Sequence, residues 1–161
     1  MSRLVIVLPL SPLHTGDTFA VRDWPLHITV LAPFLTDAEP GDVAAALAAV
    51  ASGQTALTAI AGGDEMFGRR ENIPVTVVVE NPALARLHGA LVEAIRPLGA
   101  SPDERAFTGP GFRAHVTVKG QARVHEGDAL SLTQIALVDM APRAVRGGRA
   151  VLATFPLAAR E

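Results

Sequence analysis

Two short runs carry residues of the kind that move protons. Pro25-Leu26-His27-Ile28-Thr29-Val30-Leu31 and Arg113-Ala114-His115-Val116-Thr117-Val118-Lys119 share the order His, apolar, Thr, apolar. Chance placement of the 5 His of this chain yields on the order of 0.1 such tetrapeptides. Imidazole titrates near neutral pH, so one His can be general base while the other is general acid. Two Thr hydroxyls can donate hydrogen bonds to the non-bridging oxygens of a phosphate. This chemistry needs no metal and no cofactor. Its natural substrate is a phosphodiester with an adjacent hydroxyl, or the cyclic form. The competing explanation is two partly buried, hydrogen-bonded strand histidines.

Val, Ile and Thr favour strands, and strand side chains alternate between faces. His27 and Thr29 therefore share one face, with Ile28 and Val30 on the other. On the second run, Arg113, His115, Thr117 and Lys119 fall on one face, and two cations beside a His-Thr pair suit a phosphate. The matching positions of the first run are Pro25 and Leu31, so the expected cleft is electrostatically lopsided. Trp24, Phe67 and Phe112 stand near the motifs and could stack on a base. For Phe67, a core anchor beneath its loop is the competing role.

The remaining chain must position these strands. Leu4 to Leu10 is apolar almost throughout and reads as a central strand. A loop from Ser11 to Pro25 leads to the first motif strand, Leu26 to Ala32, stopped at Pro33. Val43, Leu47 and Val50 recur at helical spacing, which predicts a helix from about Gly41 to Ala51 with Gly53 as its stop. Thr55 to Ala61 reads as a strand, Gly62 to Asn72 as a polar loop, and Ile73 to Glu80 as a strand. Asn81-Pro82 opens a second helix with the stripe Leu84, Leu87, Leu91, Ile95 and Leu98. A long loop, Gly99 to Phe112, enters the second motif strand. Leu130 to Asp139 and Arg149 to Pro156 complete the strands. Each half holds one helix and one motif strand, which predicts an α+β, two-lobed, pseudo-twofold domain with antiparallel sheets, a helix on each lobe and a central cleft.

The 161 residues suit one domain spanning 1–161, and 49 % apolar content suits a packed core. A net charge of -2 excludes a broadly basic nucleic-acid binder, so any anion site is local. The absence of Cys excludes disulfides, thiol nucleophiles and Cys-rich zinc sites. The apolar run at the N-terminus is too short for a signal peptide, and no stretch approaches the roughly 20 apolar residues of a membrane span. A cytoplasmic monomer with no membrane association is the expectation.

The two motifs resemble those of the 2H phosphoesterases, which include bacterial RNA 2′,3′-cyclic phosphodiesterases, also called 2′-5′ RNA ligases. The stretch Trp24 to Phe34 looks like the first signature, and Gly111 to Val118 looks like the second, with the histidines 88 positions apart. Leu132 to Leu157 resembles the closing hairpin. The resemblance implies that His27, Thr29, His115 and Thr117 line the cleft. It also implies opening of 2′,3′-cyclic phosphates, with joining or cleavage of 2′-5′ linkages in some members. Many members carry a basic residue after the first motif and Arg five positions after the second His. This chain has Leu31-Ala32-Pro33 and Gly120 there, leaving Lys119 as the substitute.

Other signals carry less. Gly62-Gly63-Asp64-Glu65-Met66-Phe67 looks like a diguanylate cyclase signature with one residue inserted, but a polar hairpin loop explains it. His14 and His125 lack partners in the pattern, and His88 falls on the flank of the second helix. Arg69, Arg70, Arg143 and Arg146 are loop cations that default to solvent. The expected substrate is an RNA end or small nucleotide bearing a cyclic phosphate. A nucleotide or RNA-end binding protein without turnover, and a phosphodiesterase with a non-RNA substrate, are the alternatives.

Overall fold

The computed structural model describes residues 1–102, 108–143 and 145–159. Its strands are β1 (Ser2–Pro9), β2 (Thr18–Ala20), β3 (His27–Thr36), β4 (Leu57–Phe67), β5 (Ile73–Val78), β6 (Ser101–Pro102), β7 (His115–Thr117), β8 (Ala129–Leu132), β9 (Gln134–Asp139) and β10 (Gly148–Pro156). Two helices, α1 (Pro40–Ser52) and α2 (Pro82–Ile95), interrupt them. The spatial order is β2-β10-β9-β1-β3-β7-β5-β4-β8, with β6 beside β3. The ladders are antiparallel. The two lobes of this α+β fold are the two ends of that path. They meet where the motif strands β3 and β7 pair, Ile28 opposite Val116.

β1 is apolar on both faces because both faces are covered. Leu4, Ile6 and Leu8 join the main core with residues of α1, α2, β3, β4 and β9. Val5 and Val7 join a smaller core on the opposite face with Trp24, Ala136, Val138 and Val151. A strand buried on both sides cannot show alternation in its sequence. The helices pack on each other, α1 also against β10 and α2 also against β3. α1 buries Val43, Leu47 and Ala51 and is capped by Gly53. At the start of α2, the Asn81 side chain accepts hydrogen bonds from the Ala83 and Leu84 amides, at 3.1 and 3.2 Å. Such a cap contributes about 1 kcal/mol.

Four expectations are corrected. Pro33 does not stop the first motif strand: β3 runs on to Thr36, and Pro33 falls in the register shift between the pairs Leu4–Phe34 and Ile6–Leu31. A residue without an N–H is tolerated at such a bulge. Much of the expected loop 62–72 is strand, since β4 continues to Phe67 and pairs with β5 as far as Phe67–Ile73. Gly62 is required there because a Cβ would meet the Val77 carbonyl oxygen at 2.8 Å. The stretch expected as one strand from Leu130 to Asp139 is two, with β8 pairing β4 in one lobe and β9 pairing β1 in the other. His88 lies within the buried face of α2 rather than on its flank, at 2 % exposure. Of the loop entering the second motif strand, residues 103–107 lie outside the described residues.

Candidate active site

The pairing of Ile28 with Val116 places both side chains in the core, at 0 % and 1 % exposure. Their neighbours must then face the other way. Extending the antiparallel register by one residue each way sets His27 opposite Thr117 and Thr29 opposite His115. Each imidazole thus stands across from the hydroxyl of the other motif. A local twofold relation follows from the register alone.

Both imidazoles are anchored in the same way. His27 Nδ1 is 2.8 Å from the Pro25 carbonyl oxygen, and His115 Nδ1 is 2.9 Å from that of Arg113. A carbonyl oxygen only accepts, so Nδ1 carries the hydrogen in each ring. In the neutral form this makes Nε2 the basic nitrogen of both, which is the tautomer a cleft base needs. Burial pushes His27 down to about 4, opposed by the Pro25 carbonyl and reinforced by Lys119, His115 and Arg149. Burial also lowers His115, against the pull of the Arg113 carbonyl and with the charge of Arg113.

An aromatic ring supports each histidine. Trp24 stacks on His27 with ring centroids 4.1 Å apart, and Phe67 lies tilted against His115 at 4.7 Å. Trp24 is buried and also packs near Phe19, so its ring backs His27 instead of facing the cleft as a stacking platform. Phe67 and Phe112 do line an opening, a cavity of about 250 Å³ walled also by Pro33, Ile73, Thr29, Arg113, His115 and Thr117. Phe67 is a wall residue because β4 extends as a strand and carries it to the cleft. Phe112 stacks in parallel on His88 at 4.2 Å. His88 in turn joins the Val30 carbonyl through Nδ1 and accepts the Gly109 amide through Nε2, both at 2.8 Å.

The four-residue face expected on the second motif strand is divided. β7 covers only His115–Thr117, so strict alternation does not reach Arg113 or Lys119. Arg113 is held by Glu65 through Nη1–Oε1 and Nη2–Oε2 contacts of 3.3 and 2.7 Å, and lies 5.2 Å over Phe67. That fork is the edge a phosphate would use. Lys119 instead points toward the other half, 5.6 Å from the centre of Trp24. Arg149 joins it there, 5.2 Å from the same ring. Arg149 was not among the residues singled out from the sequence. The available signal was its spacing from Val151, which puts both on the strand face that meets Trp24. Arg143 and Arg146 are exposed, and the His125 amide closes a turn with Asp128.

A curled antiparallel sheet with two helices and paired His-Thr strands defines a class as well as a shape. The family model of the 2′-5′ RNA ligase superfamily matches residues 13–140, and the chain belongs to that superfamily, the 2H phosphoesterases. Solved structures share the fold. E. coli LigT complexed with NADP+ superposes with a TM-score of 0.60 at 16% identity, over 98% of both chains. LigT complexed with 3′-AMP gives 0.58 at 16%, over 97% of this chain and 98% of that one. TT0787 of Thermus thermophilus gives 0.57 at 18%, over 99% of this chain and 100% of that one. No curated protein sequence matches significantly.

Proposed function

We propose that the protein is a metal-independent phosphodiesterase that opens 2′,3′-cyclic phosphates of RNA ends or nucleotides, with His27 and His115 as the acid-base pair. The observation that carries this reading is the matched anchoring of both imidazoles, which leaves each Nε2 as the proton-exchanging atom across the Ile28–Val116 pair. One histidine takes a proton from water as its oxygen attacks phosphorus. The other gives a proton to the ribose oxygen as its bond to phosphorus breaks. The pair ends with protonation exchanged and resets through solvent. Thr29 and Thr117 donate to the non-bridging oxygens, where charge accumulates in the transition state. Phe67 and Phe112 form walls suited to a base. Among the described residues no group of three or more His, Asp or Glu side chains is placed to hold a metal ion. The LigT complexes with 3′-AMP, ATP and NADP+ support a nucleotide ligand. With the 5′-hydroxyl of a second RNA end in place of water, the same forward step, in which the ribose 3′-oxygen leaves and takes the proton, would join a 2′-5′ linkage.

Hydrolysis of adenosine 2′,3′-cyclic phosphate in EDTA, followed by phosphorus NMR, tests the reading. Steady turnover to a single phosphomonoester is expected. Tight nucleotide binding by the folded protein without turnover of any 2′,3′-cyclic nucleotide would instead identify a binding protein. Faster turnover of a cyclic sugar phosphate would identify a non-RNA substrate.

A further inference from the structure

One buried histidine takes no part in the reaction as drawn. His88, on α2, reaches both the first motif strand and the turn that leads into the second. β7 pairs β3 at Ile28, and β6 pairs it at Phe34 and Leu35. Between those ladders the Val30 carbonyl accepts from His88 Nδ1 at 2.8 Å. The opposite ring nitrogen, Nε2, accepts the Gly109 amide at 2.8 Å. Gly109 opens the short turn Gly109–Gly111, which the Phe112 amide closes by donating to the Gly109 carbonyl at 3.1 Å. The Phe112 ring then lies flat on His88, 3° from parallel with centroids 4.2 Å apart. His88 thus grips the turn at both ends, the first by a hydrogen bond and the last by a stack. The two hydrogen bonds take one donor and one acceptor, which is the whole capacity of the neutral ring. An aliphatic side chain of similar size could fill this part of the core but could make neither bond.

We propose that His88 is a positioning residue for base recognition, fixing the Phe112 ring as a wall of the cavity that takes the nucleobase. One face of Phe112 is covered by His88, so its opposite face and edge are what the cavity can meet. The ring cannot swing away without losing that stack, and its backbone cannot shift without opening the turn held at Gly109. Phe112 lines the cavity and His88 does not, so His88 acts through Phe112 rather than on the ligand. A wall held in place before binding has less freedom to lose when a base arrives, which favours affinity. The site then prefers a cyclic phosphate that carries a flat heteroaromatic group over one that does not. This deepens the proposed function and rests on it for the placing of the base beside Phe67 and Phe112.

Calorimetric titration with adenosine 3′-phosphate and with methyl riboside 3-phosphate, which lacks the base, tests this without requiring turnover. Wild type should bind the adenosine ligand at least about tenfold more tightly, the effect of one stacked base. His88→Gln keeps a donor and an acceptor but removes the ring. It should cut that ratio severalfold and leave affinity for the base-free ligand within about twofold of wild type. His88→Phe keeps the ring but removes both hydrogen bonds, and should give an intermediate ratio. Phe112→Leu should bring the ratio close to one, and adding His88→Gln to it should change the ratio no further, because the two residues act as one unit. The wild-type protein gives a reading that no folding defect can blur. Its His88 ring proton resonances should shift on adding adenosine 3′-phosphate and stay in place with the base-free ligand. A wild-type ratio of one, His88 shifts equal for both ligands, or equal weakening of both ligands in the His88 variants overturns the positioning role. Failure to hydrolyse cyclic phosphates while the ratios behave as expected overturns the proposed reaction and leaves the role of His88 standing.

Discussion

Around His27 the protein gathers Trp24, Lys119 and Arg149; around His115 it gathers Phe67, Arg113 and Glu65. The two constellations share a plan. Each imidazole donates Nδ1–H to the carbonyl two residues earlier, rests on an aromatic ring, and has a cation over that ring. They differ in burial and in charge balance. His27 is 8 % exposed beside two cations with no carboxylate partner among the described residues. His115 is more open, and Glu65 neutralises its cation. The backbone thus repeats the part that chemistry requires to be the same, the tautomer. The surroundings vary the part that can specialise. The open half carries the aromatic cavity and the closed half carries the positive charge.

Each motif also carries a Thr, and losing it should cost more than any change in the surroundings. Thr29→Ala and Thr117→Ala each remove one donor to the phosphate and should lower kcat/KM by about 10²-fold. The double variant should fall short of the product of the two, because the hydroxyls act on one group. Steady-state kinetics with a 2′,3′-cyclic nucleotide reads this directly.

The difference in burial should appear in stability. His27 is buried neutral, so the unfolded chain takes up its proton more readily. Stability from this group is intact above about pH 6.5 and is lost as pH falls toward about 4. The full loss is of the order of 3 kcal/mol. Urea unfolding of wild type and His27→Asn at pH 7 and pH 4 checks it. The variant should lose less stability across that interval.

The same lowering governs the pH profile. The base must be neutral and the acid protonated, and both rings of the free protein titrate below their usual 6.5. The kcat/KM profile should therefore be bell-shaped with its maximum on the acid side of pH 6.5. A maximum above pH 7 contradicts the burial argument. The smallest effect concerns the neutralised cation. Glu65→Gln releases Arg113 from an exposed ion pair that contributes up to about 1 kcal/mol. It should cost little stability and lower KM for an anionic substrate a few-fold.

The motif strands were legible because their chemistry is local: His27, Thr29, His115 and Thr117 follow from strand alternation once Ile28 and Val116 are buried. The helix face Leu84 to Ile95 was legible for the same reason. What sequence could not assign were contacts made through the sheet order. Arg149 reaches the Trp24 ring only because β10 and β9 stack beside β1 and β3, and Glu65 meets Arg113 only because β4 runs on past Gly62. Trp24, Phe67 and Phe112 were visible as aromatic neighbours of the motifs. That two of them wall a cavity depends on contacts between distant parts of the chain, as in the Phe112–His88 stack and the Phe67–His115 contact.

The central claim is that two equivalently anchored imidazoles share one proton-transfer cycle. The direct test compares cyclic-nucleotide hydrolysis, in EDTA, by wild type, His27→Ala, His115→Ala and the double variant. Each single variant should lose about 10²–10⁴ in kcat, and the double variant should be little worse than the worse single one. Full activity in either single variant would contradict the account.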